Sequence, residues 1–208
     1  MTQATATFFD FFEMTKPRLT LLALIMATLG YSMGSNGPVN ISGLIWMLIG
    51  TAFIGAASGF LNQYLEVDID SRMWRTLGRP LPSGRLGKKQ VLVVGWICGL
   101  LGVFVLLFAV NAVASVLGAL TLLFYLAIYT PSKQETPAST LIGAVPGALP
   151  PLIGWTAAQG TVAPMGWVLF AILFLWQIPH FLAIAWIYRE DYGRANLPIL
   201  SVVDPDGD

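Results

Sequence analysis

All eleven lysines and arginines of this chain fall on one side of a membrane if its six apolar stretches alternate across it. No other feature restricts the fold so tightly. The stretches lie near residues 19–33, 41–61, 91–110, 112–129, 141–158 and 165–187. Lys16 and Arg18 precede the first, and Arg72, Arg75, Arg79, Arg85, Lys88 and Lys89 separate the second from the third. Lys133 follows the fourth, and Arg189 and Arg194 follow the sixth. The eleven acidic residues lie on the same side, so the loops at 34–40, 111 and 159–164 carry no charge. A wrong number of spans would scatter the charges over both faces. Because basic loops stay inside, the charged face, N-terminus included, is expected to be cytoplasmic.

Composition agrees. With 56% hydrophobic residues and only 11% charged, against roughly a quarter charged in a soluble domain, the chain cannot clothe itself in polar surface and needs lipid as its solvent. The expected fold is an all-α, polytopic transmembrane bundle of six spans forming one domain, the first span short and borrowing flanking residues. A net charge of zero argues against a nucleic-acid partner. The single cysteine, Cys98, sits in an apolar run and leaves no disulfide or cysteine metal cluster within the chain. Asp10 and Glu13 ahead of Lys16 and Arg18, with no small-residue cleavage site, argue against a cleavable signal peptide. Residues 1–18 read as an interfacial lead-in.

The polar chemistry concentrates after the second span. Asn62, Glu66 and Asp70 are spaced i, i+4, i+8, so a helix continuing past the apolar run sets them on one stripe. Oxygen-bearing side chains so placed suit Mg²⁺, which takes one or two carboxylates and completes its shell with water and phosphate oxygens. Asp68 falls about 160° around the helix and is expected to support. Arg72, Arg75 and Arg79 follow, and guanidinium groups pair well with a diphosphate. The same pattern also fits a solvated helix end with exposed ion pairs worth ~0.3–0.5 kcal/mol each. The position against the membrane, in a chain otherwise nearly free of charge, favours the metal-diphosphate reading.

These residues resemble a known pattern. Asn62-x-x-x-Glu66-x-x-x-Asp70, followed by Arg75-Thr-x-x-Arg79-Pro-Leu-Pro-Ser-Gly-Arg85, is similar to the first signature of the UbiA-type intramembrane prenyltransferases. The heme-farnesylating branch of that family is matched most closely. Met14-Thr-Lys-Pro-Arg18, Gly147-Ala-Leu-Pro-Pro-Leu-Ile-Gly-Trp155, and Trp176-Gln-Ile-Pro-His-Phe181 running to Asp191-Tyr192 agree with it. The resemblance spans essentially the whole chain. It implies transfer of a farnesyl group from farnesyl diphosphate to a vinyl group of protoheme IX. It also implies Mg²⁺ held by Asn62, Glu66 and Asp70, with Arg75 and Arg79 neutralising the diphosphate. Glu66 stands where many members have Asp. The second motif, usually Asp-x-x-x-Asp, is here Tyr188-Arg-Glu-Asp-Tyr192, which makes Asp191 the expected further ligand, with Glu190 behind it. Members of the family have about nine spans, so this chain is expected to correspond to the first two-thirds of such a fold.

His180, the only histidine, follows Pro179 about two turns before the end of the sixth stretch. It could ligate heme iron, accept a proton, or pack between helices; a heme-contacting role is the reading carried forward. Tyr64, Tyr125 and Tyr129 could line an apolar cavity for an allylic cation, or anchor the chain at the interface. Pro146, Pro150 and Pro151, with Gly143, Gly147 and Gly154, either break the fifth helix or let it pack closely. An aromatic acid or quinol acceptor is the nearest alternative. A transporter would place ionisable groups at the midplane, where there are none. A heme-binding scaffold would not need the Asn62–Asp70 stripe.

Overall fold

The computed structural model describes residues 7–204, and its regular elements are all helical. The short α1 (Phe8–Met14) leads into α2 (Pro17–Gly34), then α3 (Ile41–Leu65) and a single turn, α4 (Val67–Asp70). After the polar loop come α5 (Lys88–Ala109), α6 (Ala112–Glu135), α7 (Ser139–Gln159) and α8 (Pro164–Ile187). Two short helices, α9 (Arg189–Arg194) and α10 (Leu200–Val203), finish the described chain. All six expected spans appear as helices. The main extension is in α6, which continues beyond residue 129 to Glu135.

Five of the helices, α3 and α5 to α8, are long and apolar enough to cross a membrane, and the protein is an integral membrane protein. The first span differs. α2 has 18 residues, or about 27 Å at 1.5 Å per residue, with Arg18 in its first turn and Tyr31, Ser32 and Gly34 in its last. It depends on close contact with α7. Gly30 faces the carbonyl of Pro151 and Gly154 that of Ala27 at separations that leave no space for a Cβ, and Gly34 lies tightly against the backbone of Trp155. The three prolines lie inside α7 without breaking it, and of the five membrane-length helices among the described residues α7 is the most buried. Around this seam, Ala27, Tyr31, Met47, Ile54, Leu106, Ala114, Leu117, Leu149, Leu152 and Ile153 form the main core.

Hydrogen bonds sort the two ends as the charge pattern requires. At the uncharged end, neutral groups join the loops: Asn111 Nδ2 donates to Thr156 O at 2.9 Å, Gln159 Nε2 to Gly34 O, and Tyr31 OH to Asn40 O at 3.1 Å. At the other end, ion pairs and charge-assisted bonds join α1, α3, α4, α6 and the polar loop. Two satellite cores seat that loop. Leu81 and Leu86 pack with Met14, Phe60 and Val91, while Ile69 and Met73 pack with Ala185, Ala195, Leu197 and Ile199.

Candidate active site

The stripe survives a break in the helix. Glu66, with φ −99° and ψ 11°, ends α3, yet Glu66 N–H still donates to Asn62 O at 2.9 Å and Asp70 N–H to Glu66 O at 2.8 Å. The fourfold spacing therefore carries through, and Asn62, Glu66 and Asp70 are 1%, 6% and 0% exposed. That burial excludes the solvated helix end. Asp68 points away and is exposed, as its angular position predicts.

Each member of the stripe is held by a cation. Lys16 Nζ donates to Asn62 Oδ1 at 2.8 Å, Lys133 Nζ to Glu66 Oε1 at 2.7 Å, and Arg79 NH1 to both Asp70 oxygens at 2.7 and 2.6 Å. The cations come from before α2, the end of α6 and the polar loop. Lys16 adopts left-handed φ 50° and ψ 59° just before Pro17, a conformation costing about 1–3 kcal/mol in a non-glycine residue, and its bond to Asn62 helps to hold it there. Burial pushes the Lys16 ammonium down to about 7; nearby Arg79 and Lys133 add to this, and Glu66 and Asp70 oppose it. Burial raises the Asp70 carboxyl, against the pull of Arg79.

α6 reaches the stripe through an irregularity. Residues Phe124–Tyr129 form a π-helical turn, with Thr130 N–H donating to Tyr125 O. Such turns recur at functional sites because they re-aim the side chains that follow. Here Asn62 Nδ2 reaches Thr130 Oγ1 at 3.3 Å. The Tyr125 and Tyr129 rings lie 5.3 Å apart, with Lys16 5.9 Å from the Tyr125 centroid and Lys133 4.5 Å from that of Tyr129. Tyr64, by contrast, packs against the Met14–Val91 core.

The other expected site residues lie apart from the stripe. Asp191 accepts the backbone N–H groups of Trp74 at 3.1 Å and Arg75 at 3.2 Å. Among the described residues no three His, Cys, Asp or Glu side chains form a metal-holding group, so Asp191 does not join Glu66 and Asp70 in one cluster. Glu190 is exposed. The Arg75 guanidinium lies 4.6 Å from the Tyr188 ring and 5.8 Å from that of Tyr192, and Arg72 is exposed. His180 lies on an exposed face of α8, its ring stacked on Trp176 at 5.0 Å. Lys16 and Lys133 were read in the sequence only as markers of topology. A further signal was available, since Tyr125, Tyr129 and Lys133 recur every four residues and so share one helix face.

A buried amide oxygen and two buried carboxylates fit Mg²⁺, and the three cations around them fit a diphosphate. The sequence profile of the UbiA prenyltransferase family matches residues 23–208. The protoheme IX farnesyltransferase of Solibacter usitatus is 47% identical over an alignment covering 95% of this chain and 70% of that protein. That of Opitutus terrae is 42% identical, covering 98% of this chain and 68% of the relative. Among solved structures, a UbiA homolog from Archaeoglobus fulgidus bound to DMAPP and Mg²⁺ superposes with a TM-score of 0.73 at 16% identity, covering 95% of this chain and 70% of that one.

Proposed function

The chain belongs to the UbiA prenyltransferase family, and on that premise we propose that it transfers a farnesyl group from farnesyl diphosphate to a vinyl group of protoheme IX, diphosphate leaving and water capturing the resulting cation as a hydroxyl, to yield heme O. The observation that carries the reading is the buried stripe Asn62–Glu66–Asp70 with one cation on each member. Asn62, Glu66 and Asp70 would hold Mg²⁺, which when bound neutralises charge on the departing diphosphate. The cations then have a second task. With Mg²⁺ on the stripe, Lys16, Lys133 and Arg79 would donate to the diphosphate instead of to Asn62, Glu66 and Asp70. Tyr125 and Tyr129 shield the allylic carbon from water as its C–O bond breaks, and their ring faces stabilise developing positive charge.

The choice of acceptor rests on the relatives named above. An exposed, ring-stacked His180 is accessible to a porphyrin approaching along α8. The orientation that fits is the charged end toward the cytoplasm of a bacterial inner membrane, where a water-soluble diphosphate can enter and leave. Purified protein incubated with protoheme, farnesyl diphosphate and Mg²⁺ is expected to give a porphyrin heavier by one hydroxyfarnesyl unit on mass spectrometry. Asp70→Asn should give none. Unmodified heme from folded, metal-binding protein would defeat the heme reading and point to an aromatic acid or quinol acceptor.

A further inference from the structure

Asp191 occupies the segment in which a second acidic metal ligand is expected, yet its surroundings suit another task. Its two carboxylate oxygens each accept one of two consecutive backbone N–H groups, Trp74 at 3.1 Å and Arg75 at 3.2 Å, across 117 and 116 residues of sequence. Those amides lie in a stretch of turns, and the carboxylate of Asp191 gives both of them a partner. We propose that Asp191 is a positioning residue that fastens the 71–86 loop over the stripe, and that it is not a metal ligand.

Three further observations converge on this. Arg75 is held between Tyr188 and Tyr192, its NH2 donating to Tyr192 OH at 3.4 Å, so the side chain beside the fastened amides is tied to the same segment. Below them, Ile69 and Met73 pack against Ala185, Ala195, Leu197 and Ile199 in a core shared by the loop and the chain around α9 and α10. From the fastened turn a short series of bonds reaches the stripe. Thr76 Oγ1 donates to Asp70 O at 2.7 Å, Arg79 N–H to Thr76 O at 3.0 Å, and Arg79 NH1 to the Asp70 carboxylate. Asp191 thus sets where Arg79 stands, although it touches neither Arg79 nor Asp70. Release of the turn should free Arg79 and weaken diphosphate binding, while the metal ligands stay in place.

The inference rests on reading Asn62, Glu66 and Asp70 as the metal stripe, and the test separates the two claims. In lipid nanodiscs, the wild-type chain, Asp191→Ala, Asp191→Asn and Asp70→Ala would be compared by amide hydrogen exchange across residues 72–78. Mn²⁺ titration followed by electron paramagnetic resonance and steady-state kinetics complete the set. For Asp191→Ala, exchange at Trp74 and Arg75 should rise about tenfold or more. KM for the prenyl diphosphate should rise about tenfold, with kcat and Mn²⁺ affinity within about twofold of wild type. Asp191→Asn keeps one acceptor oxygen and should fall between, and it serves alone if the alanine variant does not fold. A tenfold loss of Mn²⁺ affinity in either Asp191 variant, or unchanged exchange at the two amides, overturns the proposal. If Asp70→Ala leaves Mn²⁺ binding intact, the stripe reading fails, while the exchange data still decide the role of Asp191.

Discussion

Replacing Lys133 by methionine should move metal affinity and diphosphate affinity in opposite directions. The Lys133 ammonium lies 2.7 Å from Glu66 Oε1, with the two side chains 17% and 7% exposed, so a metal taking that oxygen must displace a poorly solvated cation. At about 4 Å and an effective dielectric near 20, each pair of unit charges interacts by ~4 kcal/mol. The Tyr129 ring, 4.5 Å from Nζ, gives the ammonium somewhere to turn. That relaxation should leave a penalty of about 1.5–3 kcal/mol, so Mn²⁺ should bind the variant about 10–100-fold more tightly in the absence of diphosphate. Diphosphate at saturating metal loses one charge-assisted hydrogen bond, also about 1.5–3 kcal/mol, and should bind about 10–100-fold more weakly. The variant without metal buries an unpaired Glu66, so its melting temperature should fall and then recover on adding Mn²⁺. Spin-resonance titration with Mn²⁺ and calorimetry with inorganic pyrophosphate measure the two constants. Mn²⁺ affinity that is unchanged or lower would refute the idea that Lys133 stands where the metal must go.

Other consequences are separable. Gly154→Ala puts a Cβ against Ala27 O and 2.8 Å from Tyr31 N, backbone atoms that cannot step aside. It should cost about 2–3 kcal/mol in a detergent unfolding titration, with Mn²⁺ affinity unchanged in the folded fraction. Hydrogen bonds from the side chain and backbone of Thr7, aided by Arg85, hold the Asp10 carboxyl below its ordinary range. A depressed folded-state value means stability present above about pH 4 and lost as pH falls through the folded value. Protection of α1 from proteolysis should therefore drop in acid, and Asp10→Asn should remove that dependence. His180→Ala, on an exposed face, should change stability by no more than about 0.5 kcal/mol while raising KM for protoheme about tenfold. An unchanged KM would remove His180 from the acceptor site.

The stripe was legible because a period of 3.6 residues is local information, and it persisted through the irregular Glu66. Topology was legible because charge is excluded from lipid wherever it stands in the chain. The partners of the stripe were not. Lys16 lies 46 residues from Asn62, Lys133 lies 67 from Glu66 and Arg85 lies 75 from Asp10, separations that only tertiary packing closes. Arg75 and Arg79 illustrate the difficulty most clearly. Both belong to one arginine series, yet Arg79 meets Asp70 whereas Arg75 lies between two tyrosines more than a hundred residues away. Nor does the composition of α6 announce a π-turn, although that turn brings Thr130 to Asn62. The seam between α2 and α7 was readable as an abundance of Gly and Pro, but which glycine meets which carbonyl was not.

The most direct test is a crystal structure of the protein with Mn²⁺ and a non-hydrolysable thio analogue of farnesyl diphosphate, using anomalous scattering to find the metal. The expected result is an anomalous peak within about 2.0–2.3 Å of side-chain oxygens of Asn62, Glu66 or Asp70, with Lys16, Lys133 and Arg79 turned from the stripe onto diphosphate oxygens. A peak elsewhere, or a bound diphosphate with the three cations still on Asn62, Glu66 and Asp70, would contradict it.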